Sequence, residues 1–185
     1  MNMEQNQIRS NIRDLSAKAG LALGLLSAAC VFIVQLIGQS ELPAFIIKIS
    51  STAFWILKTS GSIWLMMFFM KTLAANDSQV SNKDTFRLGA LSSILSALVF
   101  AAFSFANVAF ISRDLFTEQM DAAMQQIAPM LDSNSLSLIE NIMQNLPQLT
   151  FFGNLIYCFI YGVALSLILS RSIPSRNPFA DHKPE

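Results

Sequence analysis

Four stretches of the chain stay apolar long enough to set its class: Ala19–Gly38, about Ser51–Leu73, Leu88–Ile111 and Phe151–Ser170. A helix rising about 1.5 Å per residue needs about 20 mostly apolar residues to cross roughly 30 Å of hydrocarbon. Each stretch meets that length, so the pattern predicts four transmembrane helices. Short polar connections join the first three, which makes them antiparallel neighbours. The expected fold is all-α, a single integral membrane domain over residues 1–185 built as a bundle of four helices.

The polar excursion between the third and fourth spans has a pattern of its own. Within Leu115–Leu131, Phe116, Met120, Met124, Ile127 and Leu131 recur at three- and four-residue steps, one face of a helix. Asp132–Ser135 supplies turn and capping chemistry. Leu138, Ile139, Ile142, Met143 and Leu146 then share the face of a second helix, which the pattern ends at Pro147. Residues 112–148 therefore read as an arm of two amphipathic helices. Faces of this kind bury themselves on the membrane surface or on the bundle. The functional reading makes Met120, Met124, Met130 and Met143 an adaptable surface for a hydrophobic partner, because thioether chains repack readily.

Composition agrees with lipid as the surroundings. Of 185 residues, 13% are charged, against about 25% in soluble domains. The formal net charge is zero, which gives no pull toward nucleic acid. The placement of charge says more, because cationic loops are retained in the cytoplasm. Arg9, Arg13 and Lys18 precede the first span; Lys71, Lys83 and Arg87 lie between the second and third; Arg171, Arg176 and Lys183 follow the fourth. The opposite side holds Lys48 and Arg113, with Asp114, Glu118, Asp121, Asp132 and Glu140 in the arm. Both termini, including the tail at 171–185, are expected in the cytoplasm and the acidic arm outside.

"LSAAC" at Leu26–Cys30 has the look of a lipoprotein cleavage box. Ser27 stands where a bulky aliphatic residue belongs, the apolar run continues past Cys30, and Glu4 and Asp14 precede it, so a retained helix is expected. Cys30 and Cys158 lack metal or redox spacing and read as packing residues. The one histidine, His182, lies in the polar tail. No metal and no cofactor is expected.

The order of "GSIWLMMFFMK", "FRLGALSSILSALVFAAFS", "DLFTEQMDAAMQQIAPML", "LIENIMQNL" and "SRNPF" resembles the uncharacterised bacterial membrane-protein family DUF 4199. The resemblance covers nearly the whole chain and implies a four-helix protein of the bacterial cytoplasmic membrane. It supplies no activity and no site residues.

Within the spans, Lys58 is the one charge that no span end explains. Counting along the helix from Lys71 puts it roughly 10 Å below the outer boundary. Gln35, Asn107 and Asn154 fall within about two turns of that boundary, and Tyr157 lies deeper. Two readings follow. Either Lys58 snorkels to the interface on its alkyl stem, or it turns inward and forms a polar pocket with Gln35, Asn107, Asn154 and Tyr157. Small residues share its stripe at Gly61 and Ser62, and similar stripes run through Gly20, Gly24 and Ala28, through Gly89, Ser93, Ala97 and Ala101, and through Cys158, Gly162 and Ser166. Such stripes let helices approach closely.

Lys58 and Ser62 stand one turn apart, as a serine–lysine dyad would, but no oxyanion hole accompanies them. The expected function is therefore non-catalytic, with the arm binding lipid or a membrane-protein partner. Homo-oligomerisation and a small transporter or channel with a polar outer vestibule around Lys58 are the alternatives.

Overall fold

The computed structural model describes residues 3–40, 42–76 and 80–173. Most of the expected tail, with His182, lies outside them. Helix α1 spans Met3–Gly38 and α2 spans Ala44–Asn76. Helix α3, Asn82–Ala106, runs on through one π-helical turn at Asn107–Ile111. Helices α4 (Arg113–Ile127) and α5 (Ser133–Gln144) form the arm, joined by a short 3-10 turn, and α6 covers Leu146–Ser172. There is no strand among the described residues.

Four of these helices are long and apolar enough to cross a membrane, which makes this a multi-pass membrane protein. Each extends beyond the stretch read from hydropathy. Helix α1 begins well before Ala19, and its early turns place Ile8 and Ile12 in a core with Met66, Met70, Leu73, Leu88, Leu169 and Ile173. Arg9, Arg13, Lys18, Lys71, Lys83, Arg87 and Arg171 flank the same end of the bundle. That basic end is where the protein is most tightly closed.

Local chemistry sets several boundaries. Ser81 and Asp84 form a capping box: the Asp84 amide donates to Ser81 Oγ at 3.4 Å and the Ser81 amide to Asp84 Oδ2 at 3.2 Å. Pro147 does not end the second arm helix. It sits in the first turn of α6, where its missing N–H would have had no intrahelical acceptor. Leu146 accordingly belongs to α6, and the break falls at Asn145.

Helix α3 lies between α1 and α6, and the small-residue stripes are what let it. A Cβ on Gly20 would come within 2.7 Å of Leu95 Cβ, and one on Gly24 within 2.7 Å of Val99 Cβ. On the other side Gly89 faces Ser166 and Met70, while Gly162 faces Ser93, again with no room for a side chain. Hydroxyls tie the same interfaces: Ser16 Oγ donates to the Leu88 carbonyl at 3.2 Å and Ser166 Oγ to that of Phe86 at 3.1 Å. The stripes are thus used within one chain. Helix α2 differs. It rests chiefly on α1, and its buried residues, Met66, Met70 and Leu73, all lie toward the basic end. Toward the arm it leaves a gap beside α3 and α6.

Candidate functional site

The polar residues of the spans divide into two groups. The first closes the arm end of α1 and α3. Asn107 Nδ2 donates to Gln35 Oε1 at 2.6 Å, Gln35 Nε2 donates to Ser112 Oγ, and Ser112 Oγ donates to Asn107 Oδ1 at 3.1 Å. The π turn makes this ring of three possible. Its wide loop carries the Ser112 amide back to the Asn107 carbonyl at 2.8 Å, which brings residues five apart onto one side. Ser112 is buried, and among the described residues no buried side-chain nitrogen or oxygen lacks a partner. Replacing Asn107 by Leu should cost about 1–3 kcal/mol for each polar group left unpaired. Thermal unfolding of Gln35→Leu, Asn107→Leu and the double variant should show the double costing less than the sum of the singles. Strict additivity would mean that the two side chains do not act together.

Asn154 does not join the ring. It lines, with Asn107, Phe32, Phe103, Ile111 and Phe116, a largely apolar cavity of about 660 Å3 beneath the start of α4.

The second group surrounds Lys58. A smaller cleft of about 250 Å3 lies among α1, α2, α3 and α6, lined by Lys58, Trp55, Ser62, Ser96, Tyr157 and Tyr161. The Lys58 ammonium sits over the Phe100 ring, 4.6 Å from its centroid, a cation–π contact. Phe100 is near the middle of its span, about 18 Å from Leu88 and about 17 Å from Ile111 along the helix. Ser27 and Cys158, which line the same cleft, are also near the middles of theirs. The ammonium is therefore deeper than the count along α2 gave, because the side chain turns inward onto Phe100. Lys58 and Tyr157 thus share one site, Gln35 and Asn107 another, and Phe100 borders both cavities.

A family described as "Protein of unknown function (DUF4199)" matches residues 18–171, all four spans and the arm together. The chain belongs to DUF4199. Comparison with curated proteins and with solved structures returned no match.

In this DUF4199 chain the arm is helical where the pattern put it, and no residue of α4 or α5 is buried. Met130 and Leu138 stand openly exposed, while Met120, Met124 and Met143 are half-buried. On α4 the acidic side chains Asp114, Glu118 and Asp121 form an exposed row of their own beside the Phe116–Met120–Met124 stripe, with Asp121 one turn from Met124 at its border. Asp132 caps α5 by accepting the Ser135 amide at 3.0 Å. Ser135, through its side chain and then its backbone, holds the Asp132 carboxyl below the usual carboxylate range.

Sequence reasoning missed Ser112 and Tyr161. Ser112 follows the apolar run and looks like a loop residue unless a π turn is foreseen. Tyr161 was findable, one turn beyond Tyr157 on the same face, and the two rings stack with centroids 6.4 Å apart.

Proposed function

We propose that this is a non-catalytic binding protein of the bacterial cytoplasmic membrane, with both termini in the cytoplasm and an outer arm that lies in the headgroup layer. One observation carries the reading: the bundle leaves the apolar faces of α4 and α5 at most half covered, with no residue of either helix fully buried. The arm leaves α3 and enters α6 through very short joints, Ser112 and Asn145. It is therefore tethered at the level where the spans end. A helix held there with one apolar and one charged face gains free energy by sinking the first into the acyl boundary. The acidic face is then left to water. The positive-inside asymmetry supports the orientation, and the family's bacterial character, as the sequence resemblance implies it, supports the compartment. A membrane-protein partner or a second copy would use the same methionine surface.

The transporter or channel reading has less behind it. Its outer vestibule would gather Lys58 with Gln35, Asn107 and Asn154, whereas Gln35 and Asn107 are engaged with each other and with Ser112.

The purified protein in lipid nanodiscs tests the arm. Met124→Asp should speed proteolysis within residues 113–144, since a half-buried methionine contributes about 1 kcal/mol or more of apolar contact. Gln125→Asp, on the polar side, should leave the rate near that of the parent. Equal effects of the two substitutions would remove the lipid-bound arm from the account.

A further inference from the structure

The cleft at Lys58 is a site that neither the arm nor the family description explains. Its one cation has no counter-charge beside it among the described residues: the apolar stretches 19–38, 51–73, 88–111 and 151–170 contain no aspartate or glutamate, and Lys58 takes part in no ion pair there. An aromatic face attracts a cation through its quadrupole alone and is a weak substitute for an anion. Beside the ammonium are further polar groups that can meet a ligand's oxygens, the hydroxyls of Ser62, Ser96, Tyr157 and Tyr161.

The way in is from lipid. Trp55 is 66% exposed and Tyr157 67% exposed, and they stand on α2 and α6, the two helices that separate toward the arm. Nothing on α2 is buried between Ala44 and Leu65. A water-soluble anion would have to cross hydrocarbon to reach this opening. A molecule with an apolar chain would arrive by lateral diffusion and could leave the chain outside in the acyl layer.

We propose that this cleft binds a monoanionic amphiphile, with its carboxylate or phosphodiester headgroup on the Lys58 ammonium and its alkyl chain passing out between α2 and α6. One positive charge in the site matches one negative charge on the ligand. The neighbouring hydroxyls serve the remaining oxygens, and the exposed faces of Trp55 and Tyr157 flank the first part of the chain. The site is separate from the arm, so either can fail without the other.

Trp55 provides the readout. The chain has two tryptophans, so Trp64→Phe leaves Trp55 alone as the reporter, and bromine on an acyl chain quenches a nearby indole. In non-ionic detergent micelles, brominated oleate is compared with its methyl ester, and brominated phosphatidylglycerol with brominated phosphatidylcholine. For at least one pair the anionic member should reach half-quenching at a roughly ten-fold or more lower mole fraction, the scale of one hydrogen bond to a charged group. Which pair shows it identifies the headgroup. Lys58→Met should abolish the preference and Lys58→Arg should keep it. Equal quenching by charged and neutral members of both pairs would overturn the proposal, and so would a preference that survives Lys58→Met. Should Lys58→Met fail to fold, the comparison on the Trp64→Phe protein decides alone.

Discussion

Gly89→Leu should yield little folded protein, and what folds should melt well below the parent. A Cβ at position 89 already comes within 2.7 Å of Ser166 Cβ, and closer still to Ser166 Oγ and Met70 Cε. The methionine end can swing away, but Ser166 cannot, because its helix is held at the same level by Gly162 against Ser93. Overpacking in a tight core costs about 1–3 kcal/mol and occasionally more. A branched side chain that wedges α3 from α6 while displacing Met70 belongs at the upper end. Gly153→Ala is the contrast. A Cβ there meets nothing within 4 Å, so it should leave stability unchanged or raise it by up to about 1 kcal/mol through helix propensity. The reciprocal swap, Gly89→Ser with Ser166→Gly, should restore most of what Gly89→Ser loses, since the approach needs only one small partner. Thermal unfolding in detergent checks all of these. A Gly89→Leu protein that melts like the parent would mean that α3 and α6 do not meet at this point.

That contact shows which parts of the structure were legible beforehand. The spans and the arm could be read because lipid rewards one property, apolar length, and because α4 and α5 repeat it at helical period. The stripes at Gly20 and Gly24 and at Gly89 and Gly162 could be read as close-approach surfaces, although spacing alone does not say whether the neighbour is the same chain. The helix ends could not. Ile8 and Ile12 lie in a polar stretch and are recruited into the core only because α2, α3 and α6 meet there. Pro147 can either stop a helix or start one, and only the position of Asn145 decides.

The polar residues were legible singly and not in their grouping. Gln35, Asn107, Asn154, Lys58 and Tyr157 all fall on the arm side or near the middle of their helices, which suggested one pocket. What separates them is rotation about the helix axes. Asn107 is turned toward α1 by the π turn, and Lys58 faces the gap that α2 leaves beside α3 and α6. Depth follows from counting residues, but rotation depends on helix contacts that a single sequence does not display.

Four spans with the arm between the third and fourth put the arm at the end opposite the termini, so what the proposed function adds, and what has to be measured, is which end faces outward. Seven described basic residues sit at the end where Ile8, Leu73, Leu88 and Leu169 close the core. The arm brings five acidic residues to the other end. Under the proposed topology, retention of cationic segments in the cytoplasm is what orients all four spans together. Reporter fusions made after Asn76, Ser133 and Glu185 and expressed in a bacterial host measure this directly, with an enzyme active only in the cytoplasm paired with one active only outside it. The expected pattern is inside at Asn76, outside at Ser133 and inside at Glu185. A cytoplasmic signal at Ser133 would contradict the account.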